Sequence, residues 1–222
     1  MVDTRTAKKE WSPAIRINHW GMVISIFLLI ITGFYIAMPF SVSAGETTWK
    51  FLMGDMRFIH ILFGIFLVFI FFWRMYLMFF STFRADWKDL FAWVDIKNLI
   101  QQIKFYLLVT KKPHTHRLLY GPLQSLAYIG CIFMLFLIVL TGIILTGACY
   151  HAGITAWTYE LLRPVETMMG GLAGVRYIHH IVMWLFMLFF AIHLYMAFWY
   201  DCVFGEGTVS SMINGILFKK KK

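Results

Sequence analysis

Charge is scarce in this chain. Only 14% of its 222 residues are Asp, Glu, Lys or Arg, against about 25% in an average soluble protein. With 60% apolar residues, 19% aromatic ones and a mean hydropathy of +0.72, too little polar surface remains to cover a water-soluble globule. Disorder fails on the same figures. Cysteine is scarce as well: Cys131, Cys149 and Cys202 are too few and too scattered for a disulfide scaffold or a zinc knuckle. The chain has no Cys-x-x-Cys-His, which excludes covalent c-type haem attachment, and no paired Cys-x-x-Cys to hold nickel. It has no His-Glu-x-x-His, which argues against an intramembrane metalloprotease.

These absences leave an all-α integral membrane protein. Four apolar stretches, at about 18–39, 58–80, 123–148 and 175–200, reach the roughly 20 helical residues needed to cross about 30 Å of hydrocarbon. Their unbroken apolarity lacks the alternation of a barrel. The expectation is a four-helix transmembrane bundle forming a single domain over 1–222, without internal repeats. The first sixteen residues, MVDTRTAKKEWSPAIR, are polar and basic, and no small-residue cleavage site follows the first apolar run. That run is expected to be a retained span.

Lys and Arg predict the orientation. The N-terminal tail carries Arg5, Lys8, Lys9 and Arg16; Arg74 lies near the end of the second span. Arg84, Lys88, Lys97, Lys104, Lys111, Lys112 and Arg117 follow before the third span, and Lys219 to Lys222 close the chain. Only Lys50, Arg57, Arg163 and Arg176 fall on the other side. The positive-inside rule then places both termini in the cytoplasm. The net charge of +9 is a topology signal and not a mark of nucleic-acid binding. Between spans two and three, apolar and charged residues alternate over 86–109 in the pattern of an amphipathic helix lying in the headgroup region. Residues 149–174 form a long outer loop with Trp157, Tyr159, Arg163 and Gly170-Gly171, a surface able to receive a partner or simply a connection.

Histidine is nearly the only ionisable residue inside the spans, and intramembrane ionisable groups point to function. His19 opens the first span and His60 the second; the fourth carries His179, His180 and His193. His179 and His193 are fourteen residues apart, so they share one helix face about 21 Å apart along the axis, whereas His180 points elsewhere. By depth, His19 matches His193 and His60 matches His179. Any single one of these can be a packing histidine. Two pairs from facing helices suit iron porphyrin, which takes one axial imidazole on each face. Zinc would want four ligands. The expectation is two haem b groups, a cytoplasmic-side one on His19 and His193 and an outer one on His60 and His179, with His180 as the fallback. Gly33, Gly64, Gly142 and Gly147 are expected where porphyrin approaches the backbone. Arg16, Arg57 and Arg176 each stand three residues before His19, His60 or His179, placed either to pair with haem propionates or to anchor the interface. A rival reading, a transporter using the histidines as a proton relay, lacks the repeats and broken spans of that class.

RINHWGMVISIFLLIITG, GPLQSLAY, VRYIHHIVMWLFMLFFAIHLYMA and VSSMINGILF together resemble the b-type cytochrome subunit of membrane-bound nickel–iron hydrogenases, over essentially the whole chain. The His-Trp and fourth-span motifs alone also resemble the di-haem subunits of formate dehydrogenase and of thiosulfate or polysulfide reductase. The resemblance implies a subunit of the bacterial cytoplasmic membrane, an electron carrier with no hydrogen-activating site of its own. It would take electrons from the hydrogenase small subunit, itself joined to the large subunit, on the outer face. They would pass the outer and then the inner haem to a quinone, menaquinone or ubiquinone. His114, His116, Tyr120 and Gln124 lie at the surface where that quinone would bind, and can equally be loop residues meeting headgroups. The family usually has Asn before the Pro that opens the third span; here the residue is Gly121.

Overall fold

The computed structural model describes residues 5–39, 51–80, 87–110, 121–150 and 152–220. Four long helices carry the apolar runs: α1 (Pro13–Ala37), α2 (Leu52–Phe80), α4 (Pro122–Cys149) and α6 (Gly171–Phe204). Each is long and apolar enough to cross a membrane, and the chain is a multi-pass membrane protein. Shorter elements join them: α3 (Ile96–Tyr106), α5 (Gly153–Met168), α7 (Thr208–Asn214), and the strands β1 (Arg5–Lys9) and β2 (Ile216–Lys220).

Local chemistry sets the helix ends. Ser12 caps α1 by accepting from the Ile15 amide, 3.3 Å, and Pro13 follows at the first helical position, where no amide hydrogen is needed. The expected amphipathic helix over 86–109 is broken in two: a 3-10 stretch Trp87–Val94, then α3. Asp95 makes the break by capping α3 with its carboxylate, which accepts from the Asn98 amide at 3.1 Å. The expected loop over 149–174 instead contains α5, joined to α6 by Gly170 and Gly171 at φ of +87° and +74°, the left-handed region that glycine enters freely.

The chain divides into two compact units, Asn18–Trp73 with Leu135–Trp184, and Met1–Ile17 with Arg74–Met134 and Leu185–Lys222. In the first, α1 meets α2 closely. A Cβ on Gly21 would come within 2.8 Å of Ile70 Cδ1, and Asn18 Nδ2 donates to the Ile70 carbonyl at 3.0 Å. In the second unit the chain's two tails are zipped together. β1 and β2 pair antiparallel, Arg5 opposite Lys220 and Lys9 opposite Ile216. Trp11 Nε1 donates to Ser211 Oγ at 3.2 Å, and Arg5 and Arg16 donate to the carbonyls of Gly205 and Ile213.

In the same unit Gln102 of α3 locks the start of α4. Its Oε1 accepts from the Leu123 amide at 2.8 Å, one of the orphan donors of a helix N-terminus. A Cβ on Gly121 would lie 2.6 Å from Gln102 Nε2, so the carboxamide stands where a larger residue at 121 would project.

Candidate functional site

Within the first unit two histidines from different helices face each other. The ring centres of His60 on α2 and His179 on α6 lie 6.4 Å apart, with the ring planes at 59°. Each ring is steered by a threonine on a third or fourth helix. Thr32 Oγ1 of α1 lies 2.9 Å from His60 Nδ1, and Thr141 Oγ1 of α4 lies 2.8 Å from His179 Nδ1. Both threonines are buried, 3% and 0% exposed.

The hydroxyl geometry assigns the tautomer. A threonine hydroxyl has one hydrogen and two lone pairs. Thr32 directs its hydrogen to the Leu28 carbonyl and Thr141 to the Leu137 carbonyl, each at 2.7 Å, the usual way a hydroxyl is satisfied within a helix. Toward the imidazole only a lone pair is left, so Nδ1–H of each histidine donates and Nε2 keeps its own lone pair for a ligand. This is the arrangement that orients metal-binding histidines generally.

The spacing suits a single metal between the rings. With metal–nitrogen bonds of about 2.1 Å and each nitrogen roughly 1.2 Å from its ring centre, two imidazoles on one metal have centres about 6.5 Å apart. Among the described residues no group of three or more His, Cys, Asp or Glu converges to hold a metal. A two-imidazole site therefore suits a metal that brings its other ligands with it, as haem iron does.

The surroundings divide the expected glycines. Gly33 follows Thr32 and Gly142 follows Thr141; a Cβ on them would meet His60 Cε1 at 3.2 Å and His179 Cε1 at 3.7 Å. A Cβ on Gly64, one turn after His60, would meet nothing within 4 Å. Gly147 serves differently from expectation. A Cβ there would come within 2.7 Å of Tyr159 Cβ and 3.0 Å of the Thr155 carbonyl oxygen, so this glycine seats α5 against the end of α4.

The other expected residues are more dispersed. His180 is exposed. His19 meets Trp20 edge to face at 5.4 Å in the first unit, while His193, in the second, is exposed and stacked on Phe189 at 5.6 Å and 14°. Arg57 and Arg176 are exposed. Arg16 is engaged by its own chain through the Ile213 carbonyl. Gln124 is exposed, and His114, His116 and Tyr120 lie outside the described residues. The hydroxyls of Thr32 and Thr141 carry no signature of their own: Thr-Gly stands at 32–33 and 141–142 but also at 146–147, where the glycine seats α5 instead.

Membrane-spanning helices that hold imidazoles at this separation describe a b-type cytochrome, whose cofactor is haem b. The chain belongs to the prokaryotic cytochrome b561 family, whose sequence profile matches residues 10–215. It is 30% identical to the probable Ni/Fe-hydrogenase B-type cytochrome subunit of Azotobacter vinelandii, over 96% of this chain and 90% of the relative. The corresponding protein of Rhizobium leguminosarum bv. viciae is 29% identical, over 94% and 88%. The probable Ni/Fe-hydrogenase 1 B-type cytochrome subunit of Escherichia coli K12 is 27% identical, over 90% and 86%.

Proposed function

We propose that this chain is the membrane-anchoring di-haem subunit of a nickel–iron hydrogenase, carrying electrons from the hydrogenase small subunit through two b haems to a membrane quinone. The observation that carries the reading is the His60–His179 pair, 6.4 Å between ring centres, with each Nδ1 turned onto a buried threonine. The names of the relatives above support hydrogenase as the partner over formate dehydrogenase or thiosulfate reductase.

Bound haem b supplies a one-electron iron couple at each of two depths. The chain's own part is positioning. His60 and His179 present Nε2 lone pairs to the outer site. Thr32 and Thr141 hold those rings, and Gly33, Gly64 and Gly142 leave room for the macrocycle. His19 and His193 are assigned to the cytoplasmic-side site on spacing: fourteen residues separate His193 from His179, two haem positions about 21 Å apart on one helix face. His114, His116, Tyr120 and Gln124 remain the candidates for quinone contact and proton delivery. The excess of Lys and Arg near the termini supports a cytoplasmic location, at the bacterial inner membrane, for these tails and for the quinone site proposed beside them.

The test is a haem-to-polypeptide ratio with a reduced-minus-oxidised spectrum on the complex purified with its large and small hydrogenase subunits. Two b haems per chain and hydrogen-dependent quinone reduction are expected. A colourless, iron-free chain made with ample haem would sink the proposal.

A further inference from the structure

The second unit contains a buried cation with one arm unsatisfied. Arg74, on α2, is only 9% exposed. Its guanidinium lies over the Tyr128 ring of α4, 5.1 Å from the ring centre, and its Nη1 is buried without a hydrogen-bond partner. Among the described residues no carboxylate forms an ion pair with it. A charge held away from water and left uncompensated is strongly destabilising, and inside a membrane span such a charge marks a ligand or a counter-ion. The ring face of Tyr128 offsets part of that cost but accepts no hydrogen bond from the buried arm.

We infer that Arg74 is one half of an oxyanion site whose other half is a propionate carboxylate of the cytoplasmic-side haem. This rests on the two-haem reading above. Two observations favour a haem carboxylate over a lipid phosphate. Arg74 shares its helix face with the buried Leu77 and Met78, while Tyr76, Phe79 and Phe80 of the same turns are the exposed ones; the guanidinium faces inward, away from lipid. Six residues of α2 continue beyond it to Phe80, about 9 Å of helix, so it sits below the end of its span. The register along the helices agrees. Arg74 follows His60 by fourteen residues, as His193 follows His179, so α2 carries a cation at the interval at which α6 carries its second histidine.

The experiment uses the purified full complex, stripped of haem and reloaded with either haem b or its propionate dimethyl ester, for wild type and Arg74→Gln. Wild type is expected to take two haem b per chain and to hold the ester in one site at least about tenfold more weakly, the loss of a charge-assisted hydrogen bond. Arg74→Gln should bind haem b and ester alike at that site, and the midpoint potential of that haem alone should fall, because a positive charge favouring the reduced iron is gone. Should Arg74→Gln fail to assemble, Arg74→Lys serves in its place, with an intermediate preference expected. Equal discrimination in wild type and variant overturns the inference. So does loss of bound phospholipid phosphorus from the variant with haem preference unchanged, which would make the anion a lipid phosphate. A wild type that loads only one haem overturns the two-haem reading itself, a failure visible before any variant is made.

Discussion

The two histidine environments differ in how much of the fold is committed to them. In the first unit, His60 and His179 sit ring to ring, and each is fixed from behind by a threonine whose own hydrogen is spent on its helix. The device occurs twice, as Thr32-Gly33 on α1 and Thr141-Gly142 on α4, with the hydroxyl turning the ring and the glycine making room for it. In the second unit His193 lies flat on Phe189, with 14° between the ring planes, an aromatic support that fixes the plane of its ring. The lesson is that the first pair is oriented by hydrogen bonds already present in the protein chain. The cost of orientation there is met on folding instead of on binding.

The most severe way to break this comparison is to delete a ring. His60→Ala or His179→Ala should halve the haem per chain and abolish hydrogen-dependent quinone reduction, while hydrogen oxidation with an artificial dye persists in the assembled complex. His180→Ala, at an exposed site, should leave both haems in place. Retention of two haems in His179→Ala together with loss in His180→Ala would reverse the assignment.

A smaller effect is expected behind the rings. Thr32→Val and Thr141→Val keep the side-chain shape but take the hydroxyl acceptor from Nδ1–H, a loss of about 1–3 kcal/mol at His179 and less at His60, where the Leu29 carbonyl also accepts. Removing such outer-shell partners typically costs about 10–100-fold in metal affinity, so haem should wash out faster and the low-temperature spectrum of that haem should shift. Thr→Ser at either site retains the lone pair and should restore both. If Thr→Val leaves spectrum and haem retention unchanged, the hydroxyls are only satisfying their own helices.

Part of this site is legible in the sequence and part is not, for physical reasons. Long apolar runs locate all four spanning helices because lipid demands about 20 residues of satisfied backbone. The fourteen-residue interval singles out His179 over His180, and in the structure His179 is the ring that faces His60. The threonine contacts are illegible because a threonine in an apolar helix ordinarily bonds only its own carbonyl, and nothing local reveals what its second lone pair meets. α5 escapes notice because its face toward α4 is formed by Thr155 and Tyr159, giving no apolar stripe turned to a core, and Pro164 reads as a breaker. The five-residue pairing of β1 with β2 joins residues over 200 positions apart, which no window can see. The closeness of Gly121 to Gln102 appears only once α3 is seen against the start of α4.

The glycines sharpen the comparison inside the first unit. A Cβ on Gly33 would meet His60 Cε1 at 3.2 Å, tighter than ordinary contact, while one on Gly142 would meet His179 Cε1 at a comfortable 3.7 Å. Gly33→Ala should therefore push the His60 ring and lower haem retention several-fold, within the range of about 1–3 kcal/mol for overpacking. Gly142→Ala should be close to silent. Measured side by side as haem per chain after detergent washing, equal losses would mean that the two halves of the site are more alike than their distances indicate.

The smallest expected effect lies away from the His60–His179 pair and acts as the control for it. Gln102→Ala removes the acceptor of the Leu123 amide and opens a gap beside Gly121, costing about 1–3 kcal/mol for the unmet buried donor where α3 meets α4. The neighbouring Tyr106 phenol, pushed up to about 12 by burial and held down in part by its hydrogen bond to Gln102, stays neutral at any working pH. No new charge is therefore released there by the substitution. Thermal stability of the complex should fall while the spectrum of the His60–His179 haem is unchanged, since neither residue belongs to that unit. Gln102→Ala combined with Gly121→Asn should recover much of the loss, because the amide is then returned from the other side of the same gap. Failure of that double variant to recover would mean that Gln102 holds α3 by its reach from that helix and not by its amide alone.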